Sequence, residues 1–463
     1  MEIQTLDPLK TSADTDVSKN GHFAIEGGEP IVRGARIMGS RWPLITQDDV
    51  EELVATFRSG LLTEMSGRNR VQAFEREISA FVGTNFALTT NSGTAALHCA
   101  LAGVGVESGD EVIVPALTYI GCAAAVLHQQ AIPIFVDVHP YTYNMSPELV
   151  EARITERTKA IMVVHLHGLP APMDAFMAIG KRYGIPVIED FSQAFGASYK
   201  GRRVGSIGDV GAASLMAGKN LPSAGEAGIV VTNNREVRNR AATLKCFAEK
   251  AGYHDTYTTL HETCGWNYRS NIISLAFASR QLERVDKLNG YRAASAVKLN
   301  AVLRELPGFS PPVSPPDANH VYHMYRFRFD PKLAGLSVSA DQAHEALKQI
   351  FWNEGLPLIE FQNVPLPGHA LLQKKVGYGK GCPWSCHQRE DVVYNIDDYP
   401  GSLDVIRHTL VVGYPAQAPL VNQDLVDHYA RGFRKIQQNI EAFERFAASL
   451  PSNPPWQTNA RLF

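Results

Sequence analysis

Between Phe86 and Ile188 the chain alternates short apolar runs with longer segments of helical spacing, and no other feature restricts its fold as much. The runs are Phe86-Ala-Leu-Thr-Thr90, Glu111-Val-Ile-Val-Pro115, Ile132-Pro-Ile-Phe-Val136, Ala160-Ile-Met-Val-Val164 and Ile185-Pro-Val-Ile188. Each is separated from the next by enough residues for a crossover helix. Alternation of this kind predicts a largely parallel sheet with helices on both faces, an α/β fold. Ligands of such sheets bind beyond the carboxyl ends of the strands, so the residues after each run are the ones to read for chemistry.

A chain of 463 residues is long enough for a large core and more than one structural unit. Its net charge of -3 gives no electrostatic footprint for nucleic acid or an anionic membrane. No run of 18 apolar residues occurs, and the first twenty residues have no apolar core, so neither a membrane span nor a signal peptide is expected and a cytoplasmic location is. Gly103-Val-Gly105-Val-Glu-Ser-Gly109 fails the dinucleotide-loop spacing and follows a helical pattern, so it reads as a helix end and turn.

Ser92-Gly93-Thr94 follows the first run and opens a helix. Gly93 allows close backbone approach, and two hydroxyls beside free helix N–H groups favour a phosphate, although Ser and Thr are also ordinary N-caps. Tyr119 ends Pro115-Ala-Leu-Thr-Tyr119 after the second run; its ring suits either stacking on a flat ligand or core packing. His165 and His167, in Val164-His-Leu-His-Gly168, suit either contact with a bound ligand or a hydrogen-bonded place in the wall, and the sequence gives neither a catalytic role.

The fifth run ends in Glu189-Asp190, and Lys219 follows about thirty residues later, between Gly218 and Gly225 and before the run Ile229 to Val231. A lone strand-end Asp is usually a turn former, and a lone Lys is usually a surface charge. Together, in this order, they suit pyridoxal phosphate (PLP): a carboxylate holds the pyridine nitrogen protonated, and an amine bonds the carbonyl carbon of the same ring.

The same stretch closely resembles the DegT/DnrJ/EryC1/StrS family of sugar and aminocyclitol aminotransferases. The residues that carry the likeness are Glu189, Asp190, Gln193, Gly196, Ala197, Lys200, Gly201, Gly205, Ser206, Gly208, Asp209, Ser214, Lys219, Leu221, Gly225, Glu226 and Gly228. The likeness extends from about Gly27 to about Leu450 and departs from the pattern at His167 (usually Tyr), Leu215 (usually Phe) and Ala227 (often Gly). It implies the PLP-dependent transferase fold of type I, like aspartate aminotransferase, with a smaller C-terminal α+β domain. By position, Lys219 and Asp190 become catalytic; Ser92, Gly93, Thr94, Tyr119, Gln193, Ser214 and Asn267 join them around the cofactor, and Arg269 takes a substrate or interface role. In relatives the residue matching Asn267 reaches the neighbouring subunit's phosphate site, which implies a homodimer.

The implied reaction moves an amino group from L-glutamine or L-glutamate to a cyclic ketone, a keto-cyclitol such as scyllo-inosose or a keto-sugar, in secondary-metabolite or antibiotic biosynthesis. A family member with dehydratase, oxidative or aromatising chemistry, and a non-catalytic regulator, are the alternatives.

Three units are expected: a mobile arm over 1–26, a large domain over 27–290 and a small domain over 291–463. The small domain should hold a strand from Val321 to Phe329, a helix around Ala340 to Glu354, an irregular Pro357 to Tyr399 stretch shaping the substrate pocket, and one long helix from Gln423 to Leu450. The six cysteines suit a reducing compartment, and Cys382-Pro-Trp-Ser-Cys386 lacks the second half of a zinc site, so no metal is expected and it reads as a loop.

Overall fold

The structure, a computed structural model, describes residues 22–33, 42–64, 70–248, 263–414 and 419–458. Helix α1, Gln47–Arg58, opens where Thr46 and Asp49 cap each other's backbone N–H groups; α2, Arg70–Val82, follows. The alternating region forms β1 (Phe86–Thr90), α3 (Gly93–Gly103), β2 (Glu111–Pro115), α4 (Gly121–His128), β3 (Ile132–Val136), β4 (Thr158–Val164), α5 (Met173–Tyr183) and β5 (Val187–Asp190). Two short strands, β6 (Ser198–Tyr199) and β7 (Arg202–Arg203), precede β8 (Val210–Ser214) and β9 (Gly228–Thr232).

Seven of these strands form one sheet in the order β1-β9-β8-β5-β4-β2-β3. The pairs β2/β3, β2/β4, β4/β5 and β5/β8 are parallel, whereas β9 runs antiparallel to both β1 and β8. The reversal has a local cause. The loop from β8 to β9 contains no crossover helix, so the chain returns beside the strand it left. Lys219 sits on that return, at the end of the sheet where β5 and β8 finish side by side with Asp190 opposite Ala212.

Helices α6 (Arg235–Lys245), α7 (Ile272–Leu282) and α8 (Val285–Glu305) lead to the C-terminal unit. It contains β10 (Phe309–Ser310), β11 (Ala318–Asn319), β12 (Arg326–Phe329), α9 (Ala340–Asn353), β13 (Leu358–Ile359), α10 (Ala370–Gln373), α11 (Pro400–His408), β14 (Thr409–Val412), α12 (Gln423–Gln438) and α13 (Ile440–Ala448). An antiparallel sheet β10-β12-β14-β13 packs on a core that includes Phe327, Leu347, Phe351, Tyr429 and Phe433. Each such side chain contributes about 1.5–3 kcal/mol on burial.

Five expectations change. The boundary at 290 falls inside α8, a continuous helix whose second half packs on the C-terminal core. The stretch 22–33 joins that core too: Phe23 is fully buried there, and Glu354 accepts from the N–H groups of Ala24 and Ile31. The rest of the expected mobile arm lies outside the described residues. The strand expected from Val321 begins only at Arg326, because the backbone before it bonds to a turn; Val321 and Met324 donate to the carbonyls of Gly168 and His167. The last helix breaks at Asn439, which has φ −123° and ψ 36° and whose side chain donates to the Lys435 carbonyl. Cys382 and Cys386, read as a plain reduced loop, pair with each other, their Cα atoms 5.3 Å apart.

Candidate active site

Asp190 ends β5 with both carboxylate oxygens occupied. Oδ1 accepts from the Ser192 N–H at 2.9 Å and Oδ2 from the Cys122 thiol at 3.3 Å. Ser192 also accepts, through Oγ, from the Ser214 N–H at 2.8 Å, so one serine ties the acid on β5 to the end of β8. Burial first, and then the Asp190 charge, push the Cys122 thiol well above the usual cysteine range and keep it a donor.

Lys219 stands in the same field. Burial lowers its ammonium below the ordinary lysine range, against the opposing charges of Asp190 and Glu226. The loop is fixed from outside: the Trp42 indole donates to the Lys219 carbonyl at 3.1 Å, and the Lys219 N–H donates to the Met216 carbonyl at 2.8 Å. Asn220 donates to Asn289 at 2.9 Å and shares a 3.0 Å hydrogen bond with His323.

The expected phosphate residues also converge. A Cβ on Gly93 would lie 2.4 Å from Cβ of Ser214, and one on Gly228 would lie 2.2 Å from the Ser92 carbonyl, so the helix start, β8 and β9 meet only because both positions are glycine. Ser92 Oγ caps α3, accepting from the Ala95 N–H at 3.2 Å, while Ser214 Oγ accepts from the Met216 N–H. Thr94 lies beside Gly121, next to the Tyr119 ring. Tyr119 is 61% exposed, which removes the core-packing alternative for that ring.

Gln193 is buried, and its Oε1 accepts from the His167 N–H at 2.8 Å. Glu189, next to the acid, is structural: it accepts from the N–H groups of Gly205, Ile207 and Gly208 and from His165 Nε2 at 3.0 Å. His165 Nδ1 in turn accepts from the Ala171 N–H. Asn267 has an exposed side chain, and its carbonyl accepts from Asn91, just ahead of Ser92. Arg269 is not drawn into this cluster; its guanidinium lies 5.1 Å from the centre of the Phe247 ring. Sequence reasoning missed Cys122, Ser192, Trp42 and Asn220. Of these, Cys122 and Ser192 carried a signal, since each lies within a turn of a strand-end residue that was singled out.

The donor set fits PLP. A carboxylate at one end, a buried amine with a lowered pKa, a flat exposed aromatic, and a glycine-cleared helix start flanked by hydroxyls match a ring nitrogen, an aldehyde, a ring face and a phosphate.

Comparison with known proteins agrees. Residues 43–354 match the profile of the DegT/DnrJ/EryC1/StrS aminotransferase family. The chain is 32% identical over 406 residues to the spore coat polysaccharide biosynthesis protein SpsC of Bacillus subtilis, covering 86% of this chain and 97% of that one. It is 35% identical over 332 residues to the L-glutamine:2-deoxy-scyllo-inosose aminotransferase of Streptoalloteichus tenebrarius, covering 69% and 77%. The crystal structure of S. venezuelae DesV in complex with a ketimine intermediate superimposes with a TM-score of 0.71 at 28% identity, covering 89% of this chain and all of that one. With the acid, the lysine and the glycine-cleared helix start in one place, the chain belongs to the DegT/DnrJ/EryC1/StrS family and is a PLP-dependent aminotransferase.

Proposed function

We propose that this aminotransferase takes its amino group from L-glutamine or L-glutamate and delivers it to a cyclic ketone, a keto-cyclitol of the scyllo-inosose kind or a keto-sugar, in secondary-metabolite or antibiotic biosynthesis. The observation that carries the reading is Lys219, an amine whose pKa is lowered by burial, held in the field of Asp190 at the carboxyl edge of the sheet. The relatives named for glutamine and inosose substrates support the choice of donor and acceptor.

Pyridoxal phosphate, when bound, supplies an electron sink for the carbon that loses its proton. Asp190 holds the proton on the ring nitrogen, and Ser192 and Cys122 keep its carboxylate aimed. Lys219, the amine that would hold the cofactor's carbonyl carbon, would also serve as the base and acid that moves the proton at the donor's α carbon. Ser92, Gly93, Thr94 and Ser214 receive the phosphate, Tyr119 covers the ring, and the Gln193 amide positions it. Asn267 completes the phosphate site of a second copy, and Arg269 faces the substrate or the interface. A second copy is further supported by the apolar side chains that α1 and its exit leave exposed: Val54, Phe57, Leu61 and Leu62.

The test is the absorption spectrum of the purified protein before and after L-glutamine or L-glutamate, beside Lys219→Ala. Loss of the visible band of the lysine-bound cofactor, only when Lys219 is present, is the expected result. A band unmoved by either donor would overturn the reading and favour non-transaminating chemistry, and failure to bind PLP at all would favour a regulator.

A further inference from the structure

Trp42 stands 177 residues before Lys219, and its indole N–H is the donor to the Lys219 carbonyl at 3.1 Å. That bond is the lysine backbone's one tie to a residue outside its own loop among the described residues, because the Lys219 N–H is spent on Met216 in the same turn. The next residue is tied down on its side chain. Asn220, which is buried, donates through Nδ2 to Asn289 Oδ1 at 2.9 Å and to the Val321 carbonyl at 3.2 Å. Its Oδ1 accepts from His323 Nδ1 at 3.0 Å.

The two ties join behind the lysine. Asn289 Oδ1 also accepts from Arg292 Nη1 at 3.2 Å, and the Arg292 guanidinium lies 4.4 Å from the centre of the Trp42 ring. The contacts therefore close a circuit that runs from Lys219 to Trp42, Arg292, Asn289 and Asn220 and returns to Lys219 through one peptide bond. Arg292 is 3% exposed, no carboxylate pairs with it among the described residues, and burial lowers its pKa to about 9. A cation so placed depends on the groups that face it, here an aromatic face and an amide oxygen. Asn289 Nδ2 donates to the Phe195 carbonyl at 3.0 Å, which turns its oxygen toward both Asn220 and Arg292.

Packing alone does not call for an indole at position 42. The ring belongs to a small apolar cluster with Leu288 and Val421, where α8 meets the C-terminal unit. A phenylalanine would serve such a cluster and would also face Arg292, but only the N–H can reach the lysine carbonyl. The peptide plane couples that carbonyl rigidly to the lysine Cα, so whatever fixes the carbonyl fixes the root of the side chain.

We propose that Trp42 is a positioning residue for Lys219: its indole N–H, backed by Arg292, holds the lysine peptide so that the amine is presented at the edge where β5 and β8 end. The task of that amine rests on the proposed function; the way it is held does not. A reacting group displaced by a fraction of an ångström loses rate while the contacts that bind the substrate stay as they were.

The experiment compares the parent with Trp42→Phe, which keeps a ring but removes the donor, and with Val421→Ala, which loosens the cluster but keeps the donor. In the cofactor-free chain, competitive labelling with acetic anhydride across pH, read at the Lys219 peptide by mass spectrometry, gives the pKa of the amine. In the PLP-loaded enzyme, stopped-flow absorbance gives the rate of the half-reaction with L-glutamine or L-glutamate at rising concentration. Trp42→Phe should move the labelling midpoint upward toward the ordinary 10.5, because a loosened loop admits water beside the amine. Asp190, Cys122 and Glu226, the charged or titratable groups that act on the amine, are the same in both proteins, so the movement reports the burial of the lysine itself. The saturating rate should fall about five- to tenfold with the half-saturating donor concentration unchanged. Val421→Ala should lower the melting temperature and leave both readings in place. Arg292→Met opens the circuit on its other side without leaving an unpaired buried cation, should move both readings as Trp42→Phe does, and serves if the phenylalanine variant does not fold. Parent values in Trp42→Phe overturn the positioning role, and equal changes in Val421→Ala overturn it in favour of packing. A labelling shift in Trp42→Phe beside a parent inert to both donors overturns the proposed function and supports the positioning of Lys219.

Discussion

The thiol of Cys122 donates to Oδ2 of Asp190 across 3.3 Å, so the carboxylate proposed to face the ring nitrogen is held from the first turn of α4 as well as from its own strand. Cys122→Ala leaves that oxygen without its protein donor and should weaken PLP binding by about 1 kcal/mol, several-fold in affinity, while Cys122→Ser retains the bond. Fluorescence titration of the cofactor-free proteins reads the difference. The parent thiol, raised well above its usual range, should also resist iodoacetamide at pH 8 while exposed Cys264 reacts, as mass spectrometry would show.

Lys219 carries a pH signature in the cofactor-free protein. Its folded pKa lies below the ordinary 10.5, so between the two values the unfolded chain binds more protons and stability rises with pH. Lys219→Met removes the cost of burying the amine. The variant should melt higher than the parent at pH 7, and the gap should shrink as pH approaches 10.5. A gap that stays constant over that range would contradict the lowered pKa.

Gly93→Ala places a methyl group 2.4 Å from Cβ of Ser214. Relieving that overlap should cost about 1–3 kcal/mol of stability and weaken PLP binding more than pyridoxal binding. Adding Ser214→Gly should recover most of the stability, because it removes the atom that is struck. Thermal melts and paired titrations with the two cofactor forms check both statements.

Glu189 has no solvent exposure and accepts four hydrogen bonds, one of them from His165. Glu189→Ala strands three backbone donors and should destabilise the fold by about 3–5 kcal/mol in urea titration. At a temperature where the variant remains folded, the donor half-reaction should persist, since this acid holds the loop and not the ring.

Phe57 is 66% exposed on α1, beside exposed Val54. If this face meets a second copy, Phe57→Glu should shift the protein toward monomer in analytical ultracentrifugation and lower PLP affinity in step, because Asn267 would no longer reach a neighbouring site. An unchanged sedimentation coefficient would place the interface elsewhere.

The sequence by itself determined the alternating strands, the acid at the end of β5, the lysine on the loop before β9 and the glycine at the start of α3. Each is written in local order: apolar periodicity marks a strand or helix, and a motif keeps its members within a few residues. Tertiary structure alone decided that residues 22–33 belong to the C-terminal core, that α8 runs through the expected domain boundary, and that β12 starts five residues late because the preceding backbone bonds to the His167–Gly168 turn. It alone also brought Cys122 to Asp190 and Arg326 to His167, pairs 68 and 159 residues apart. Such pairs leave no periodic trace in the chain, because the partners are chosen by how separate elements pack and by which buried polar groups then need one another.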